Sequence, residues 1–451
     1  MRILLPGAEV KTLPTGKWTI VEDFRPPSGA TTQPKREREA TVSMAIELNG
    51  RVLLEEQGIG RCLWGWHDDA QANKQHAYRV YSSFEQFIAN NSFAPLPRPP
   101  AGWSIRQVAA MQEQAVRVIA SADAKALYVL TLDGDVYQID LPGGPPKRIL
   151  ERKKFAGDGS MQFMGLALDR QGRLYLVGNR YDWDARPQMS HVTIYRTAPG
   201  FGPHSLGDPK PWFTTSIPYG IDTFNHGVSF IAQGPDGWMY VSSGSRTDHG
   251  EAGNDPNRSK EGEHARTSCI WRLDPASEKP QFEIFARGLR NAFGFCFDDR
   301  GRMFATENGP NADPPEEVNL IEQGKHYGFP FQFSDLDHKA YADQPDAPAG
   351  LKIEPPLAKL DPHSSPSGIV YYKGSLLVAR FGNLIGEKDV GFDMLQVGLD
   401  GSVKPFLAPI SRPTDLHLAS SGKIYICEME RETRNIGGDF PGRILELSPP
   451  N

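Results

Sequence analysis

An internal repeat constrains this chain more than any other feature. An alternating apolar run, a polar turn closing on glycine and a second β-rich run recur five times. They read GLALDRQGRLYLVGN (165–179), VSFIAQGPDGWMYVSSG (228–244), FGFCFDDRGRMFATENG (293–309), GIVYYKGSLLVARFG (368–382) and DLHLASSGKIYICEM (415–429). A degenerate copy, VRVIASADAKALYVLTLDG, occupies 116–134. Period-two alternation broken by a glycine turn is the pattern of two strands joined in a hairpin. A third strand-like run follows each copy: GDVYQIDL, HVTIYRTA, SCIWRLDP, EEVNLIE, DMLQVGLDG and GRILELSP. One such unit cannot bury its apolar faces alone, so the copies must stack on one another. Six copies predict an all-β chain, a six-bladed β-propeller with an extra N-terminal segment.

The repeat begins near residue 106. Residues 1–105 are expected to form a β-rich N-terminal extension or cap, or to supply a strand that closes the last blade, and 106–451 the propeller. In the first segment WTIVEDF and TVSMAIELNGRVLLEE read as strands and YRVYSSFEQFIAN as a short helix, with KREREA a solvated face. The longest insertions lie between Arg246 and Thr267 and between Gln323 and Ser364, and loops that long are often functional.

Composition removes several function classes. The 451 residues carry 55 acidic against 49 basic side chains, a net charge of −6, which is not the footprint of a nucleic-acid binder. No apolar run approaches the length of a membrane-spanning helix. Cys62, Cys269, Cys296 and Cys427 are far apart and form no CxxC, so they are expected to be buried free thiols. The N-terminus MRILLPGAEVKTLPTGKW lacks the apolar stretch of a secretory leader, so the chain reads either as cytoplasmic as written or as one whose leader has been replaced by this Met.

The turn glycines Gly172, Gly237, Gly301, Gly374 and Gly422 act as a ruler. Eleven residues before each stand Met161, His226, Arg290, His363 and Ser411, with Arg412 one further on. The first strand of each propeller blade lines the central channel, so these positions should ring one mouth of it. Arginine binds carboxylates and phosphates bidentately, and histidine takes a proton from a hydroxyl near neutral pH. A second cluster follows in ATENGPNADPPEEVNLIEQGKHYGFP (305–330), where loop carbonyls and the carboxylates of Glu307, Asp313, Glu316 and Glu317 are hard oxygen ligands suited to calcium.

At NHGVSFIAQGPDGWMYVSSG, at ARGLRNAFGFCFDDRGRMFATENGP followed by EEVNLIEQGKHYGFP, at SPSGIVYY and at RPTDLHLASSGKIYI, the chain resembles the soluble quinoprotein glucose/sorbosone (aldose sugar) dehydrogenases. Those are six-bladed propellers that use pyrroloquinoline quinone (PQQ) and calcium and work outside the cytoplasm. The resemblance implies His226 as catalytic base, Arg290 and Asn291 as cofactor-binding residues, Gly309 and Pro310 as backbone donors to calcium, and Arg412 as a holder of a cofactor carboxylate. The family's cofactor lysine has no clear counterpart, and the nearby ARFGN offers Arg380. Val228, Ser229 and Phe230 follow the histidine where small residues and an arginine are common. Phe293 stands for a glutamine, and Thr414 for a second arginine.

The candidate set is therefore His226, Arg290 and His363 for catalysis, Arg290, Asn291, Arg412 and Arg380 for the cofactor, and Gly309, Pro310, Glu307 and Asp313 for metal. Three readings stay open. The first is a PQQ- and calcium-dependent dehydrogenase acting on a small sugar-like substrate. The second is a metal-dependent lyase, dehydratase or hydrolase on a sugar or lactone, its metal held by His226 or His363 with Glu307, Asp222 or Asp248. The third is a non-catalytic propeller binding a glycan or a protein, where Trp238 and Trp271 are candidates to stack on sugar rings.

Overall fold

The computed structural model describes residues 96–450 with their side chains, except 160, 201–207, 222–224, 335, 337–338, 384–389 and 430–441. Before residue 96 it describes the backbone of six strands: 2–3, 11–12, 19–25, 37–48, 51–65 and 76–81. Asp222 and most of the expected helix at 78–90 lie outside the described residues, and Tyr78–Tyr81 belong to the last of these strands. The chain divides into two compact units, residues 1–91 and 92–451. In the first, the six strands form one antiparallel sheet built on the long hairpin of Glu37–Leu48 and Arg51–Gly65.

The second unit is the six-bladed propeller. Each blade is a four-stranded antiparallel sheet. The innermost strands are Ala115–Ala120, Met161–Leu168, Val228–Gln233, Phe295–Phe297, Pro366–Tyr372 and Arg412–Leu418, in blades 1 to 6. Five blades are contiguous in sequence. The sixth takes its outermost strand from Ser104–Met111, which pairs antiparallel with Gly442–Ser448. This closure joins the two ends of the propeller and covers a sheet edge that would otherwise offer unpaired backbone groups.

The hairpin turns explain the glycine ruler. Gly172, Gly237, Gly301, Gly374 and Gly422 have φ of 72°, 94°, 79°, 87° and 79°, a left-handed backbone in which a Cβ is strained. In blade 1 the same turn is made by Ala124 at φ 53°, its amide bonded to the Ser121 carbonyl as Gly172 bonds to Asp169. The degenerate copy is thus degenerate at the residue the turn most needs.

Apolar side chains are buried between blades. Ala167, Val177 and Ile194 of blade 2 pack with Ile231, Val241 and Trp271 of blade 3, and the other five blade contacts are built the same way. Trp271 is fully buried there, while Trp238 lies partly buried beneath the Arg272 guanidinium. Cys269 and Cys427 are buried and Cys296 partly so, all three as free thiols. Among the described residues no helix is long and apolar enough to cross a membrane.

Candidate functional site

The axis of the propeller is filled by one guanidinium. Arg117, in the innermost strand of blade 1, is 1% exposed. Its Nε donates to the Met164 carbonyl of blade 2 at 2.7 Å. Its Nη2 donates to the Ser229 and Phe293 carbonyls of blades 3 and 4 at 2.7 and 2.9 Å, and its Nη1 reaches Asp415 Oδ1 of blade 6 at 3.3 Å. The rings of Phe230 and Phe293 lie 4.7 and 4.4 Å from it. Five blades therefore meet on one cation, and Phe230 and Phe293 are its walls. Burial pushes the Asp415 carboxyl up to about 6, opposed by Arg117, so the pair is ionised at neutral pH.

His226 stands two residues before the innermost strand of blade 3, partly exposed. Its Nδ1 lies 3.1 Å from the Ser245 carbonyl and 3.0 Å from Ser245 Oγ. That hydroxyl donates its own proton to the Thr247 carbonyl at 2.8 Å. Both partners can then only accept, so Nδ1 carries the hydrogen and Nε2 carries the lone pair. Burial, and then the neighbouring Arg290 charge, lower the imidazole pKa to about 3. His226 is thus a neutral base with a specified tautomer. Gly244 makes room for it, because a Cβ there would lie 2.4 Å from the His226 Cβ and 3.3 Å from Asn291 Oδ1.

Arg290 is tied to the insertion that follows Arg246. Its Nε donates to the Asp248 carbonyl at 2.9 Å, its Nη2 to Asp248 Oδ1 at 2.8 Å, and its Nη1 to the Asn308 carbonyl at 3.2 Å. Burial alone would raise the Asp248 carboxyl, but Arg290, the Asn311 amide and the Tyr341 hydroxyl hold it below the usual range. Tyr341, from the second long insertion, donates to Asp248 Oδ2 at 2.9 Å and stacks on His249 with centroids 3.8 Å apart. The first insertion is stapled by buried Arg246, which donates to the carbonyls of Glu261, Gly262 and Tyr219. Both insertions therefore converge on the mouth that holds His226.

The remaining candidates fall into two groups. The backbone amides of Arg290 and Asn291 donate to Glu307 Oε1, and the Gly309 amide donates to Glu316 Oε2 at 2.5 Å. Burial pushes Glu307 well up and Glu316 up to about 7. Pro310 is buried and Gly309 partly so. These residues form one body with His226. His363, at φ 60°, instead pairs its Nε2 with the exposed Asp313 at 2.7 Å. Arg380 binds Asp393 bidentately at 2.8 and 2.7 Å and also binds Asp361. Arg412 is buried, donates to the Gly382 and Asn383 carbonyls at 3.3 and 3.2 Å, and lies between Phe381 and Phe392.

Two features of this site escaped the periodic reading. Arg117 breaks the apolar run VRVIA, and Asp415 breaks DLHL, yet nothing in either run tells that the two meet. Six residues after the turn glycines stand Gly178, Ser243, Glu307, Arg380 and Glu428, a second ring position whose charged members are all buried. Counting forward as well as back along the repeat would have found it.

The donor set fits a hard cation better than it fits a quinone. Asn291 Oδ1, Glu307 Oε2 and Asn308 Oδ1 are buried and accept no hydrogen bond among the described residues, and unsatisfied oxygens of this kind are what calcium takes. No group of three His, Cys, Asp or Glu side chains stands in metal-binding arrangement among the described residues, so a divalent ion would rest on amide and backbone oxygens as well. The guanidiniums of Arg290, Arg380 and Arg412, in contrast, are all engaged by acceptors of this chain.

A propeller with a histidine–arginine mouth of this kind is sugar dehydrogenase-like. Residues 210–428, just under half of the chain, match the Glucose / Sorbosone dehydrogenase family. Over 59 residues it is 39% identical to the quinoprotein glucose dehydrogenase B of Acinetobacter calcoaceticus, 13% of this chain and 12% of that protein. Over 137 residues it is 30% identical to an uncharacterized protein of Borreliella burgdorferi, 27% of this chain and 36% of that one. The chain thus spans about a third or less of the curated relatives it matches. The PQQ-bound aldose sugar dehydrogenase of Streptomyces coelicolor superposes with a TM-score of 0.54 at 23% identity, covering 78% of this chain and 99% of that one. The Escherichia coli aldose sugar dehydrogenase gives 0.53 at 14%, covering 77% and 99%. At these identities the likeness establishes the shared fold.

Proposed function

We propose that the mouth of the propeller oxidises a hydroxyl of a sugar, with His226 as the general base. The observation that carries this reading is the locked tautomer of His226, which presents a neutral Nε2 lone pair beside Arg290. His226 Nε2 accepts the substrate hydroxyl proton. Arg290, held by Asp248, keeps a positive charge next to the oxygen that loses it. A divalent ion held by Gly309 and Pro310 with the unsatisfied oxygens of Asn291, Glu307 and Asn308 would supply Lewis acidity, and a bound quinone the hydride acceptor. Binding of a tricarboxylated quinone requires at least one guanidinium among Arg290, Arg380 and Arg412 to leave its present acceptors. A dehydrogenase of this family would release an aldose as its lactone.

The test is titration of the purified protein with PQQ in the presence of Ca²⁺, followed by an aldose panel with an artificial electron acceptor. One-to-one binding and dye reduction that is lost in His226→Gln support the reading. Undiminished turnover in His226→Gln overturns the base assignment. The engaged arginines favour a second reading, redox-neutral and metal-dependent chemistry on a sugar or lactone at the same histidine. Absence of quinone binding together with metal-dependent conversion of a lactone supports that reading over the first.

A further inference from the structure

On its blade 2 side the mouth carries three aromatic rings that the chemistry above leaves unused. Tyr181 is the last residue but one of the second strand of that blade, Leu174–Asp182, Trp183 follows that strand, and Tyr219 comes from the segment that leads to His226. The Trp183 and Tyr219 centroids are 4.7 Å apart at 66°, Tyr181 and Tyr219 are 5.2 Å apart at 81°, and Tyr181 and Trp183 are 5.6 Å apart. The Tyr181 hydroxyl donates to Gln162 at 2.8 Å, and Gly220, the residue after Tyr219, donates its amide to Oδ1 of Asn225, the residue before His226, at 3.1 Å. The cluster therefore adjoins the base.

Trp183 stands out for exposure. It is 42% accessible and is the one aromatic among the large exposed hydrophobic side chains of the described residues, while Trp212 and Trp271 are buried. It is also fixed. Its carbonyl accepts from Arg186 Nη1 at 2.8 Å and Gln188 Nε2 at 3.3 Å, and Asp182 Oδ1 accepts the amides of Asp184 and Ala185 at 3.2 and 3.0 Å. An indole pinned by its loop and braced by Tyr219, yet left open to water, is arranged for an external contact. Around it stand polar groups: Gln162, Asp182 and Arg258, the last 5.4 Å over the Tyr219 ring. An aromatic face with hydrogen-bonding groups at its edge matches a pyranose, whose C–H face is apolar and whose hydroxyls radiate at the rim.

We infer that Trp183, with Tyr219 and Tyr181, forms a stacking subsite for a second pyranose ring next to the one His226 deprotonates. The substrate is then an oligosaccharide or glycoside. This deepens the dehydrogenase reading and rests on it for the identity of the first ring. The test titrates the full chain with glucose, maltotriose and cellotriose in Ca²⁺, read by tryptophan fluorescence and calorimetry, and in parallel measures kcat/KM for each sugar. A trisaccharide should bind at least about tenfold more tightly than glucose. Trp183→Ala should remove that advantage, and Trp183→Phe should restore most of it. Equal affinity for glucose and both trisaccharides, or a trisaccharide affinity unchanged in Trp183→Ala, overturns the subsite. Trisaccharide binding that depends on Trp183 with no sugar oxidised leaves the subsite standing and removes the dehydrogenase reading. Oxidation of glucose and trisaccharides with equal kcat/KM does the reverse.

Discussion

At the scale of single residues, His226 and Arg117 divide the work between chemistry and geometry. His226→Gln keeps a polar side chain of similar reach and loses the base, so kcat should fall by at least about a hundredfold, with sugar binding by calorimetry retained. Because the imidazole is held down to about 3, it is already neutral at every pH above that. The pH profile of kcat/KM should show no acid limb near 6.5 that belongs to His226. A limb there that vanishes in His226→Gln would contradict the environment described. Arg117 touches no candidate reactant, yet it holds the Ser229 and Phe293 carbonyls, three residues beyond His226 and two beyond Asn291. Arg117→Met leaves the buried Asp415 carboxyl without its partner, a loss of about 3–5 kcal/mol readable by urea denaturation. Arg117→Met combined with Asp415→Asn should cost less than the sum of the two single changes, because the stranded carboxyl is gone.

At the scale of elements, the turns show how far the repeat could be read. The glycine spacing located the hairpins and the ring of mouth residues, because a left-handed turn position is a local demand that one residue type meets. It sets His226 and Arg290 on one ring, and in the structure the Arg290 charge acts on the His226 imidazole. It said nothing of Asp248 and Tyr341, which are 93 positions apart in insertions without period. Contacts between such loops leave no periodic trace in either one. Phe230 and Phe293 read in sequence only as lost polar contacts. Their packing on Arg117 depends on three different blades, and no single stretch reports it. The blade 1 turn supplies a direct check. Ala124 sits at φ 53° with its amide bonded to Ser121, the position that glycine holds in the other five blades. Ala124→Gly relieves that backbone and should raise stability by about 0.5–1 kcal/mol in thermal or urea unfolding. Gly244→Ala should do the opposite and also displace His226, since the added Cβ would lie 2.4 Å from the His226 Cβ.

At the scale of the molecule, a propeller whose core lies between blades and whose axis is filled by Arg117 is open for chemistry at the His226 mouth. Its response to pH follows from what that packing does to ionisable groups. Burial lowers His417 to about 4, and burial with Arg290 lowers His226 to about 3, against about 6.5 in the unfolded chain. Below pH 6.5 the unfolded state binds protons at both histidines and the folded state does not. Each histidine therefore contributes stability that is present above about 6.5 and is lost as the pH falls toward 4 and 3, at about 1.4 kcal/mol per pH unit. Glu316, raised to about 7, and Asp415, raised to about 6, act in the other direction. The folded state keeps their protons where the unfolded state has released them, so their contribution is lost as the pH rises from about 4 to 6 or 7. The slope of the wild-type curve is the difference of these opposed terms, and substitution separates them. The unfolding free energy of His417→Gln, relative to wild type, should rise by about 1.4 kcal/mol for each unit of acidification between pH 6 and 4.5. His417 makes the cleaner case because burial alone sets its shift, with no charged partner named among the causes. Urea unfolding of the two proteins at four pH values in that window decides the point. Parallel curves would mean that His417 takes up its proton in the folded state as readily as in the unfolded chain.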